Sequence, residues 1–348
     1  MAVFGNKMVG FGGVAAVDNR FIISVKTDNA GTSGTNQFTI PTTGTGYLYD
    51  IETSDGQIIL GNTGNKTITF PSAGTYTIYI SGNFPQNYFN NTGDKLKILN
   101  LSNLGIYGLG SADQTRAFNG CSNMIISATD SGHFGSVTDF QSAFQGCSSL
   151  TSFPFIDTSS GTNFNGCWNG CNSLLSFPLL DTSNGIDFTA CWILCSSLTS
   201  FPLLNTSSGT TFTQTWAFCS LLNSFPLLDV SSGTIFQQTW LNCSSLTSFP
   251  LLDTSSGTNF SSCWSNTSVN IFPANFFDSN IATNYSVAFL STNLSQTSID
   301  NILVSLDVNG LSGGTFRQSG GSAPSITGTN AIDNLRTKGW TIIVTGGY

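Results

Sequence analysis

Charge is scarce in this chain. Lys, Arg, Asp and Glu make up 8% of 348 residues, against about a quarter in ordinary soluble domains. The 10 basic and 18 acidic residues leave a formal charge of -8, with no basic stripe to neutralise phosphates, so nucleic acid is not an expected partner. No apolar run reaches the roughly 18 residues of a spanning helix, so membrane insertion is not expected either. Histidine occurs once, as His133 in Ser131-Gly132-His133-Phe134-Gly135. A serine or cysteine nucleophile needs a base, and that turn-like setting carries no catalytic signature. There is no P-loop, no dinucleotide motif and no Cys-x-x-Cys pair for zinc. These absences argue against an enzyme, and no catalytic, cofactor-binding or metal-binding residue is assigned.

What is present is a 24-residue repeat. Trp168, Trp192, Trp216, Trp240 and Trp264 keep that interval, as do Cys147, Cys171, Cys195, Cys219 and Cys243, and Pro154, Pro178, Pro202, Pro226 and Pro250. A strict period of this length predicts units that bury their apolar sides only by stacking. Phe144 stands one period before Trp168, so aromatic bulk is what that phase requires, and the indoles are expected in the core rather than on an exposed sugar platform. Cys167, Cys191 and Cys263 share a second phase with Thr215 and Thr239, which asks for a small side chain and not a metal ligand. In each unit the Pro lacks an N–H, so an extended segment must bend there. The following Asp-Thr-Ser-Ser-Gly is turn chemistry. Asp157, Asp181, Asn205, Asp229 and Asp253 could in principle hold calcium, but Asn205 serves in the series without charge, so turn closure is expected. The Thr phase after it, Thr158, Thr182, Thr206 and Thr254, would suit ice binding only if it were exposed, and Val230 interrupts it.

The flanks differ. Alternating apolar residues at 20–26 and 75–81, with short candidates at 38–40, 47–51, 57–60 and 66–70, predict an antiparallel β-sandwich. A further strand is expected at 95–101. Ser298 and Asn330 are candidate helix caps near the C-terminus, with Gly339 as a stop before a strand at 340–345.

The run Phe144 to Ser152 (Phe-Gln-Gly-Cys-Ser-Ser-Leu-Thr-Ser) and the later Asp-Thr-Ser-Ser-Gly-Thr-x-Phe resemble the BspA-type leucine-rich repeats of bacterial and phage surface proteins over about half the chain, with Trp in place of the usual aromatic. Ser54-Asp55-Gly56 and Ala73-Gly74-Thr75-Tyr76-Thr77-Ile78 resemble PKD-like, immunoglobulin-type domains. The expected fold is therefore mainly β: an N-terminal β-sandwich, a leucine-rich-repeat-like solenoid of 24-residue coils, and a small α/β C-terminal cap. The expected divisions are a docking arm at 1–19, the sandwich at 20–82, a linker and cap at 83–110, the repeats at 111–290 and the cap at 291–348.

Together these readings imply a non-enzymatic phage virion protein of a tail fibre, tail tip or capsid decoration. It would hold other virion proteins through the N-terminal arm and a host surface glycan or protein through the repeats. The arm is a poor imitation of a secretory signal and no cell-wall anchor is apparent, which disfavours the alternative of a secreted, extracellular bacterial adhesin. A glycan-degrading enzyme is the other alternative. A homotrimer would suit a fibre, although no heptad supports it. Specificity is expected at positions that vary between repeats: Asn169, Ile193, Ala217 and Leu241.

Overall fold

The computed structural model describes residues 18–348, so the docking arm read at 1–19 lies outside the described residues except for its last two. The chain forms two compact units, one ending at Gly161 and one spanning Thr162–Tyr348.

In the first unit the alternating segments become β1 (Phe21–Lys26), β2 (Gln37–Ile40), β3 (Leu48–Thr53), β4 (Ile58–Asn62), β5 (Lys66–Thr69) and β6 (Thr75–Asn83), followed by β7 (Ile98–Asn103) and β8 (Ile125–Ile126). Alternation works as expected on β1, where Phe21, Ile23 and Val25 are buried and the residues between them are not. The sandwich expectation is corrected. There is one open six-stranded sheet, ordered β4-β3-β6-β1-β7-β8, and a separate two-stranded ribbon, β2-β5. The sheet grows sideways because β1 pairs with β6 on one edge and β7 on the other, and β7 in turn takes β8 in parallel. Its aromatic core includes Phe21 against Tyr107, with ring centroids 4.6 Å apart, and Tyr49 against Phe84 at 4.9 Å. Two of the few charges are buried here. Lys97 donates from Nζ to Ser33 Oγ and to the carbonyls of Gly34 and Gln37 at 2.8, 2.8 and 2.9 Å, while the Asp94 carboxylate accepts the N–H groups of Thr32, Ser33 and Thr39. The pair clamps the loop between β1 and β2, which hydrophobic patterning gives no means of seeing.

The leucine-rich-repeat solenoid is likewise corrected. In the second unit no strand forms before β9 (Asn284–Phe289). Pairing between repeats is reduced to isolated parallel bridges that link Asn163, Asp187, Thr211, Ile235 and Asn259 in series. The reason is local. Each unit places two left-handed residues four apart, such as Ala190 and Leu194, Gln214 and Phe218, or Gln238 and Asn242, with φ between 54° and 64°. Between them the chain makes an i→i+3 turn, such as Ile193 N–H to Ala190 O. An extended ladder cannot run through such a segment, and the Phe-Pro-Leu-Leu segment expected to be extended is bent at each proline, whose carbonyl accepts the N–H two residues on.

The repeats nonetheless stack, with Trp192 N–H donating to Thr215 O, Trp216 to Thr239 O and Trp240 to Cys263 O. All five indoles are fully buried and successive rings lie 5.6 to 5.8 Å apart. The indole Nε1–H groups of Trp192, Trp216, Trp240 and Trp264 meet no acceptor, so these rings stabilise the unit by contact alone. Phe177, Phe201, Phe225 and Phe249 close edge-on against them, as in Trp216–Phe225 at 4.8 Å.

After the repeats, β9, β10 (Thr315–Gln318) and β11 (Thr341–Ile343) form a three-stranded parallel sheet in the order β11-β10-β9. They are joined by helices α1 (Gln296–Asn309) and α2 (Ile326–Thr337). The caps differ from those expected. Ser295 and Ser325 cap the two helices, because the Ser298 hydroxyl is taken by tertiary bonds, accepting from Phe272 N–H at 2.9 Å and donating to Asn270 O at 2.8 Å. Asn330 lies inside α2.

Candidate partner-binding face

The Phe-Pro-Leu-Leu motif of each repeat makes the most regular exposed feature of the second unit. Pro178, Pro202, Pro226 and Pro250 each accept at their carbonyl the N–H of the residue two further on, at 2.9 to 3.0 Å. That is a γ-turn, and the intervening Leu stands at its apex. Phe177 and Leu180 on either side face the core, whereas Leu179, Leu203, Leu227 and Leu251 are 52% to 63% exposed. The proline bend foreseen from the sequence therefore turns one leucine per unit outward.

The stack is splayed on this side. Successive rings in the Phe164, Phe188, Phe212, Phe236 and Phe260 column are 5.2 to 5.6 Å apart. In the Phe177, Phe201, Phe225 and Phe249 column they are 6.0 to 6.3 Å apart. The leucine row lies on the wider side, next to the second column.

Two residues beyond each leucine comes the Asp phase, which closes turns as expected. Ser183 donates both its N–H and its hydroxyl to Asp181 Oδ1 at 3.0 and 2.7 Å, and the same pair of bonds recurs at Asn205 and Asp229. The serine hydroxyl first, and then its backbone N–H, hold Asp181 and Asp229 below the usual carboxylate range. Asp253 departs from this pattern, because only the Ser255 N–H reaches its Oδ1. No cluster of three potential metal ligands exists among the described residues. The Thr phase is buried, with Thr182 and Thr206 donating to Asn205 O and Asp229 O, so it offers no exposed face for ice.

The four sequence-nominated positions lie together at one phase but do not form an exposed row. Asn169, Ile193 and Leu241 are half-buried and Ala217 is buried. The next residue along, at Gly170, Leu194, Phe218, Asn242 and Asn266, has φ between 56° and 74°, and of these Leu194, Phe218 and Asn266 are exposed. Gly and Asn suit this conformation; Leu194 and Phe218 do not. Both project into solvent, at 43% and 36% exposure. Comparing phases could have found them, since a Gly/Asn position occupied by Leu and Phe is a visible irregularity.

Where the leucine row ends, an open cleft of about 290 Å3 is lined by Leu251, Leu252, Asp253, Ser255, Phe276 and Asn280 among others. In the first unit a second open cleft of about 410 Å3 lies among residues 43–47, 83–86 and 109–113. His133 belongs to neither, being exposed in a bend with its N–H bonded to Tyr107 O. All nine thiols are buried, and burial raises Cys219 to about 12, which disfavours its nucleophilic thiolate form. No protein-family model matches the chain, and no curated protein or solved structure is detectably similar to it.

Proposed function

We propose that this chain is a non-enzymatic structural and attachment protein of a phage virion, serving in a tail fibre, tail tip or capsid decoration, and that its repeat face binds a host surface. One observation carries the reading: a row of four solvent-facing leucines held in register by a fully buried aromatic stack. Leaving aliphatic side chains in water at every repeat has no use in packing, and a fixed row of like groups binds through many weak contacts at once. The resemblance of the repeats to surface-protein repeats points the same way.

The test is immunogold labelling of intact particles, paired with competition by the purified chain in a host adsorption assay. Label on the particle and slowed adsorption are expected. Label confined to the bacterial envelope, with a mature N-terminus near Ala16, would replace the virion with a secreted adhesin. Release of oligosaccharides from host polysaccharide by the purified chain would overturn the non-enzymatic assignment.

A further inference from the structure

The cleft beside Asp253 differs from every equivalent place in the repeats of the second unit. At Asp181, Asn205 and Asp229 the serine two residues on turns its hydroxyl inward to Oδ1 at 2.7 to 2.8 Å. At Asp253 the backbone bond is kept, at 3.0 Å, but Ser255 makes no such hydroxyl bond. The buried Asn280 in the same cleft is fully committed. Its amide donates to Thr254 O at 2.6 Å and its carbonyl accepts Ala282 N–H and the Tyr285 hydroxyl, both at 2.8 Å. Of the other polar side chains that line the cleft, Asp253 carries the only charge, and the Ser255 hydroxyl two residues on makes no bond to it. Leu251 and Phe276 supply apolar walls. No basic residue lines the cleft. A carboxylate and a hydroxyl at one end of an apolar wall suit a long aliphatic stem with a cationic head, which is the chemistry of a Lys or Arg side chain.

Leu251 lines the cleft and also belongs to the exposed row with Leu227, Leu203 and Leu179. This strip is on the order of a few hundred Å2, the scale at which an apolar patch marks an interaction site. Its spacing indicates the form of the partner. The neighbouring phenylalanine column repeats at 6.0 to 6.3 Å, whereas alternate side chains of an extended strand repeat at about 6.6 Å. Asp181 and Asp229, held ionised, flank the strip, and the chain's net charge of -8 disfavours a second copy of itself.

We infer that the leucine row and the Asp253 cleft together bind an extended polypeptide with aliphatic residues at alternate positions and a Lys or Arg seated against Asp253 and Ser255. This names the partner chemistry of the face assigned above to attachment, and it rests on that reading only for its biological setting.

The experiment uses the full chain and a labelled, blocked peptide of four Leu-Ser pairs closed by Arg, read by fluorescence anisotropy. Saturable binding is expected. Replacing Arg by citrulline, which keeps the shape and removes the charge, weakens it roughly tenfold. Asp253→Asn does the same, and Asn205 shows that the turn closes without charge, so this variant keeps its melting temperature. Leu227→Ser also weakens binding, while Asp333→Asn on α2 leaves it unchanged. Absence of saturable binding, or indifference to citrulline, Asp253→Asn or Leu227→Ser, overturns the inference. So does an equal loss with Asp333→Asn, which would mean that only general acidity attracts the peptide. If the chain blocks adsorption yet ignores the peptide, this inference alone fails. If it binds the peptide yet plays no part in adsorption, the attachment reading alone fails.

Discussion

Phe218 holds a left-handed backbone at φ 63° at a phase where Leu194 also stands but three other repeats carry Gly170, Asn242 and Asn266. A left-handed L-residue costs roughly 1–2 kcal/mol, and Asn recovers part of that through its short polar side chain. Phe218→Asn is therefore expected to stabilise the chain by up to about 1 kcal/mol, seen as a higher urea midpoint at constant slope. An unchanged or lower midpoint would mean that the ring's remaining contacts outweigh the strain. A variant that is more stable but attaches less well would mark Phe218 as retained for contact. Residue roles in the repeat were legible wherever several repeats could vote. Trp and Phe phases read as core because an aromatic recurs there, and the Asp phase read as turn closure because Asn205 substitutes. At Ile193 and Ala217 the exposed side chain is the next one along, Leu194 and Phe218, because variability marks tolerance as readily as exposure. Ala217 varies from its counterparts while fully buried. Single, unrepeated features such as the Lys97–Asp94 clamp had no second copy to reveal them.

Among elements, the turns are the best determined and the strands the least. The γ-turn at each Pro-Leu-Leu and the Asp-Ser closure follow from residues with few conformational options, so sequence located both. Strands in the first unit followed alternation, but which edges would join was decided by long-range pairing, such as β1 with both β6 and β7, that no local pattern carries. In the repeats the extended segment expected around Phe-Pro-Leu-Leu is broken by the bend at each proline, and in the return that follows nothing in Ala190 or Gln214 announces a positive φ. The closure at Asp229 is testable through pH. Its carboxyl is held below its ordinary value by Ser231, so the folded form favours the ionised group. Its contribution is complete above the unfolded value, near 4, and is lost as pH falls through the lowered folded value. Asp229→Asn, by analogy with Asn205, should keep the turn and remove this part of the acid sensitivity. The quantity to measure is the difference in melting temperature between pH 6 and pH 3. An Asn variant that loses as much on acidification as the parent would show that the Asp–Ser turn is not a source of acid lability.

At the scale of the whole molecule, each unit is stabilised by a core built almost entirely from uncharged residues. In the second unit the indole column is its axis. Trp216 lies between Trp192 and Trp240, each 5.8 Å away, with Phe225 and Phe201 edge-on at 4.8 and 5.3 Å. It has no exposed surface, and repeats that rely on neighbours cannot close around a missing ring without shifting the whole column. Trp216→Ala is expected to cost about 3–5 kcal/mol. The damage should also spread, because each repeat bonds to the next through the same backbone segment, as Trp192 N–H does to Thr215 O and Trp216 N–H to Thr239 O. The nine buried thiols report on this directly. Burial raises Cys195 and Cys243 well above their ordinary values, and Cys219 to about 12, so in the intact protein all nine should resist a thiol reagent at pH 8. In Trp216→Ala, Cys195, Cys219 and Cys243 should become reactive together, at a rate well above the parent's and before global unfolding. Mass mapping of the labelled cysteines distinguishes this from the alternative. If only Cys219 is labelled, the repeats absorb the cavity one at a time and the column does not act as a single cooperative core.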